Sequence, residues 1–150
     1  MQIKVTQTKD TLTPSLKRKI ASLANPQPVL AAMGSVVVSI TMRAFTDASL
    51  RPASWAPLAP KTLKRRRAEG RGLNALLRTG TLARSPRVSS VTSTTVIVGS
   101  DRPYALPQQM GTRRGVPARP FFPFDSSGRP TPKARDTMLM AADRALALRS

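Results

Sequence analysis

The chain has 150 residues, and 25 Lys and Arg against 7 Asp and Glu give it a formal charge of +18. This length suits one compact domain with a modest core from its 40% apolar residues, while 14 Pro and 8 Gly require long irregular stretches. The lack of Cys and His excludes disulfides, thiolate nucleophiles, Cys/His zinc sites and imidazole acid-base catalysis. The acids Asp10, Asp47, Glu69, Asp101, Asp125, Asp136 and Asp143 are scattered, with no Asp-x-Asp or Glu-x-x-Glu pair to hold magnesium or act as a two-carboxylate site. No Gly-Lys-Ser/Thr phosphate loop and no internal repeat occurs. The inventory reads as a non-enzyme with no metal and no cofactor.

The opening residues do not lead from a basic segment into an apolar one, so the chain is expected to be made in the cytoplasm. Gln2 to Thr6 alternates polar and apolar residues, which predicts a short strand with Ile3 and Val5 on one face. Thr13-Pro14 offers an N-cap and a proline for the first helical turn. Leu16, Ile20 and Leu23 then predict a helix from Pro14 to Ala24, with Lys17-Arg18-Lys19 on its solvated face. Asn25-Pro26-Gln27-Pro28 ends it.

Asn25 to Met42 carries no charge, but its Pro, Gly, Ser and Thr residues favour a buried element over a membrane span. Leu30, Met33, Val37, Ile40 and Ala44 predict a central helix over Val29 to Phe45. An extended loop follows at about residues 47–87. From Arg51 to Arg87, ten basic residues face the single acid Glu69. Pro60 to Ala68 suits a short helix whose cationic end is Lys64 to Arg67. Trp55 is an aromatic anchor within this loop, with core packing in its own subunit and contact with a neighbour both open.

Val88 to Val91 and Thr94 to Gly99 have the β-branched enrichment of two strands in a hairpin. Tyr104 to Pro123 is rich in Pro and Gly and reads as irregular. A last helix over about residues 131–148 starts at Thr131-Pro132 and buries Met138, Ala141, Ala142, Ala145 and Leu148. The fold class is therefore α+β: a small single domain over 1–150, a short antiparallel sheet against two or three helices, and a long basic, Pro-rich loop.

The segments Trp55 to Lys64 (WAPLAPKTLK) and Leu76 to Ser85 (LLRTGTLARS) resemble the phage virion morphogenesis proteins of Mu-like phages, which are similar to tail completion proteins. Val98-Gly99-Ser100, Tyr104-Ala105, Gln108-Gln109-Met110-Gly111 and Val116 to Phe122 (VPARPFF) continue the pattern in order. Gln108 departs from it, since relatives often carry His before the Gln. The resemblance implies a structural protein at the head-tail junction of the virion, acting in tail completion and head-to-tail joining as a homo-oligomeric, hexameric ring of tail terminator type. Other neck proteins and the tail tube would be its partners, and it implies no catalytic residue and no membrane.

On this reading Trp55, Leu58, Arg119, Phe121 and Phe122 anchor contacts between subunits or with the adjacent ring. Arg119 supplies a planar donor fork for a carboxylate or carbonyl. Adjacent side chains in an extended segment point opposite ways, so one of Phe121 and Phe122 suits the core and one an interface. Lys61, Lys64, Arg65, Arg66, Arg67 and Arg71 form a basic contact loop for packaged DNA or an acidic protein surface. Six copies would carry +108, which calls for counter-charges from such partners. The competing reading is a sequence-independent nucleic-acid-binding protein, supported by a pI near 12.0.

Overall fold

The structure is a computed structural model and describes residues 2–5, 18, 19 and 23–148, with backbone alone at 2–5. Three antiparallel strands form its sheet: β1 (Gln2–Val5), β2 (Arg87–Val91) and β3 (Val96–Gly99), in the order β1-β3-β2. Gln2 and Arg87 both pair with Gly99, and Val5 and Val91 both pair with Val96, so β3 is paired along both edges. The register of β2 slips between Val88 and Ser90. That slip places Val88 and Val91, three apart in sequence, both half-buried, which strict alternation would forbid. The hairpin is as expected, although β3 starts two residues later than its β-branched run.

Helix α1 (Gln27–Ala44) lies between this sheet and the last helix, touching β2 and β3 on one side and the last helix on the other. Its start has Pro28 in the first turn, with Asn25 Oδ1 accepting from the Gln27 N–H. Val29, Met33, Val37, Ile40 and Ala44 are buried along it. By length and composition α1 could cross a membrane. Its buried stripe is that of a core helix, as the sequence suggests. Gly34 is where α1 comes closest to the sheet: a Cβ there would lie 2.6 Å from Val96 Cγ2 and 3.2 Å from Val88 Cγ2.

A single 3₁₀ turn (Ala48–Leu50), capped by the Asp47 side chain, leads from α1 into the arm at 51–59 and then into α2 (Pro60–Ala68). Two hydrogen bonds from Ser49 hold the Asp47 carboxyl below the usual carboxylate range. The sequence places α2 at these residues. It does not reveal α3 (Ala105–Met110), because Pro and Gly across Tyr104 to Pro123 hide a turn and a half of helix. The last helix, α4 (Pro132–Ala147), is capped by the Thr131 hydroxyl. Ala134, Met138 and Ala142 face α1, and the two alanines permit the close helix pair. Leu148 corrects the expected stripe: it is 83% exposed, one residue past the end of α4, where nothing covers it.

Of the helix expected over Pro14 to Ala24, Arg18 and Lys19 are helical and Leu23 and Ala24 are irregular; the rest lies outside the described residues, as do the side chains of Ile3 and Val5. The architecture is a small α+β domain. Gly34→Leu should destabilise it by about 1–3 kcal/mol despite the better helix propensity, because the side chain must displace Val96. The urea midpoint of the purified chain reads this, and an unchanged midpoint would mean that α1 has room to move off the sheet.

Candidate functional site

Proline-rich backbone has more acceptors than donors, since every residue keeps its carbonyl and Pro lacks an N–H. The arm at 51–59 and the segment 117–123 are both of this kind, and side chains supply the missing donors. Trp55 Nε1–H donates to the Pro120 carbonyl at 2.8 Å. In return Arg119 Nε and Nη2 donate to the carbonyls of Ala56 (2.8 Å) and Pro57 (3.0 Å). The two segments, more than 60 residues apart in the chain, are thus clasped in both directions. Charged donors make such bonds strong, on the order of 1.5–3 kcal/mol each.

Two further guanidiniums work the same way. Arg51 donates from Nε to the Ala44 carbonyl (2.6 Å) and from Nη2 to that of Phe45 (3.2 Å), capping the negative end of α1. The same group stacks 3.7 Å from the centre of the Trp55 ring, whose edge meets Phe45. Arg66, the one buried residue of α2, donates from Nη1 to the carbonyls of Gly72 and Asn74, both at 2.9 Å. Burial pushes the pKa of Arg51, Arg66 and Arg119 down from a very high ordinary value, and all three remain cations at neutral pH.

Behind the clasp, Gln109 Oε1 accepts from the N–H groups of Phe121 (2.9 Å) and Phe122 (3.1 Å). Gly111 closes α3 at φ 74°, where any Cβ would meet Ala118 N and Val116 O at 2.9 Å. Ser85 and Ser100 share a buried hydroxyl bond of 2.6 Å. Gln108 gives its carbonyl to the Arg119 N–H, and its side-chain oxygen is buried without a partner among the described residues.

These contacts reassign several expected interface residues. Phe121 and Phe122 are both fully buried in the core, their tilted rings 5.0 Å apart and Phe121 against Phe45, so neither faces outward; the backbone here is held by Gln109 and bends at Phe122 instead of running as a simple extended pair. Arg119, 7% exposed, spends its fork on its own subunit. Arg66 is a fastening within the basic segment, whereas Lys61, Lys64, Arg65, Arg67 and Arg71 stand at the surface, as a contact role requires. Trp55 and Leu58 lie on the wall of a cleft of about 370 Å³, also lined by Arg51, Leu63, Leu73 and Asn74. Nothing in the sequence marks Arg51 beyond its polarity, and Gln109 is marked only by its place in the resembling segment Gln108 to Gly111, because each acts on backbone groups that only the folded chain brings near.

Residues 3–139 match the phage virion morphogenesis family. The chain belongs to that family. Comparison with curated proteins and with solved structures gave no significant match. Family membership makes this a bacteriophage structural protein, associated with the virion. The segments that carry the resemblance in the sequence are those that meet in the fold: 55–57 against 119–120, 109 against 121–122, and 85 against 100.

Trp55→Phe removes one donor and Arg119→Lys the fork, and each should cost about 1–3 kcal/mol. Because both fasten the same two segments, the double variant should lose less than the two separate losses together, by about 0.5–3 kcal/mol. Urea unfolding of the four proteins measures the coupling, and strict additivity would show that the two contacts hold independent elements.

Proposed function

We propose that the chain is a neck component of a tailed phage that acts in tail completion and head-to-tail joining and works there as a hexameric ring of tail terminator type. The match to a virion morphogenesis family over nearly the whole chain carries this reading. Neighbouring neck proteins and the tail tube would be its partners.

A closed ring joins two different patches on each subunit head to tail, and two surface features support that reading. One is the cleft between the arm and α2, walled by Trp55, Leu58, Leu63 and Leu73. The other is the uncharged stretch Pro103 to Met110, where Tyr104, Leu106 and Met110 are exposed, Met110 by 66%. Leu106 and Met110 are four apart on α3 and share a face. In a subunit of charge +18, faces with few charges are the places where copies can approach at least electrostatic cost; Pro103 to Met110 carries none, and Arg51 is the one charged residue lining the cleft. Trp55 and Leu58 keep the interface role on this proposal, through the part of each that the cleft leaves open.

A second reading, nucleic-acid binding as the chain's whole task, is favoured by the excess of base over acid. Gold-labelled antibody against the protein, followed by electron microscopy of the phage particles, separates the two. Label concentrated where head meets tail supports the neck, and label missing from intact and opened particles removes it. Within the neck reading, Leu58→Asp or Leu106→Asp should leave the subunit folded and shift its sedimentation from ring to monomer. A folded variant that still forms rings would rule out the patch concerned.

A further inference from the structure

Helix α2 is unusual for a helix in a folded domain, since Arg66 is its one buried residue. Lys61, Lys64 and Arg67 recur every three residues and share its outer face, with Arg65 beside them and Arg71 just beyond the end. Lys61, Lys64, Arg67 and Arg71 have no ion pair among the described residues. The nearby acid, Glu69, is taken by Arg78 at 3.0 Å and Arg65 at 3.9 Å. The helix is nevertheless firmly mounted. Pro60 starts it, Arg66 ties its inner side to the carbonyls of Gly72 and Asn74, and the Arg71 N–H returns to the Arg66 carbonyl at 2.8 Å.

We infer that the outer face of α2 binds the phosphate backbone of duplex nucleic acid without regard to sequence. From Lys61 to Arg67 the helix axis advances about 9 Å and presents three cations without an ion pair among the described residues, one per roughly 3–4.5 Å. Duplex DNA carries one negative charge per about 1.7 Å of axis, or 3.4 Å along each strand, so the two linear charge densities correspond. A protein partner fits this face less well. Protein interfaces centre on a buried aromatic or aliphatic anchor and are depleted in Lys, whereas the apolar side chain of α2, Leu63, turns inward to the cleft and leaves no anchor outside. Backbone contacts by Lys and Arg need no such anchor. This inference goes beyond the neck reading and does not depend on it.

Any protein of this charge will attract DNA, so the test must separate place from total charge. Two triple variants of the full chain remove the same three charges: Lys61→Gln, Lys64→Gln, Arg67→Gln on α2, and Arg113→Gln, Arg114→Gln, Arg129→Gln on exposed loops elsewhere. Binding to a fluorescent duplex of mixed sequence, about 30 base pairs long, is followed by anisotropy from about 50 to 200 mM salt. Without its three phosphate-binding cations, the α2 variant should show a slope of log K against log salt shallower by about 2–3 and binding at least about tenfold weaker, while the loop variant changes the slope by less than about 1. Equal effects in the two variants, or an unchanged slope for the α2 variant, would overturn the inference. So would an α2 variant that loses affinity for polyglutamate as steeply as for duplex, which points to an acidic protein surface. Thermal melts confirm that both variants fold, and the antibody labelling that tests the neck position is read separately.

Discussion

Carbonyl oxygens without partners are the constraint around which this fold is arranged. A chain with 14 prolines, five of them in the two arms at 51–59 and 117–123, folds with a surplus of acceptors, and it has few acids to spare for its arginines. The structure sets one excess against the other. Arg51, Arg66 and Arg119 donate to six carbonyls in all, and Trp55 to a seventh. Carbonyls carry no net charge, so such a contact gives less Coulomb energy than a carboxylate would, but it leaves the scarce acids for the surface. There Glu69, Asp101 and Asp136 pair with exposed arginines, and Asp47 and Asp125 organise turns. Lysine could not take the place of Arg119, because one ammonium cannot present two parallel donors to the adjacent carbonyls of Ala56 and Pro57.

The core explains why the arms must be fastened this way. Helix α1 is covered by the sheet on one side and α4 on the other, which leaves its C-terminal end and Phe45 open. Phe121 packs on Phe45 at 5.2 Å and Trp55 meets the same ring at 5.7 Å, so the two arms together close the end of the core. Neither arm has regular structure to hold it there. The Trp55–Pro120 and Arg119–Ala56/Pro57 bonds act where a sheet ladder would otherwise act, with long-range contacts made by a few strong donors.

Local signals in the sequence are enough for most elements. Pro60 at the head of α2, Thr131-Pro132 at the head of α4, the apolar stripe of α1 and the β-branched runs of β2 and β3 all depend on neighbours within a few residues, and each element lies within two residues of where those neighbours place it. What escapes the sequence is non-local. Phe121 and Phe122 look alternately placed in an extended segment, yet both are buried because Gln109 turns their backbone. Arg66 is indistinguishable from Arg65 and Arg67 in sequence, and its burial follows from the path of residues 70–74, which no periodicity encodes. Leu148 carries the right spacing for burial but lies past the helix, where the spacing no longer describes a face.

The same division separates scaffold from surface. Once Arg51, Arg66 and Arg119 are committed to carbonyls, α2 holds the remaining cations of its segment outward on a rigid support. A helix of this composition would be unstable alone, since nine residues are too few and its like charges repel. Its stability must come from the Arg66 fastening and from Leu63 in the cleft, both on the inner side. The outer charges therefore lower the stability of the element that carries them, and they do so beside a cleft with several apolar walls. Those outward, unpaired charges are the physical reason to look for the partner of α2 in a polyanion, and the apolar walls of the cleft the reason to look for its partner in another copy of the chain.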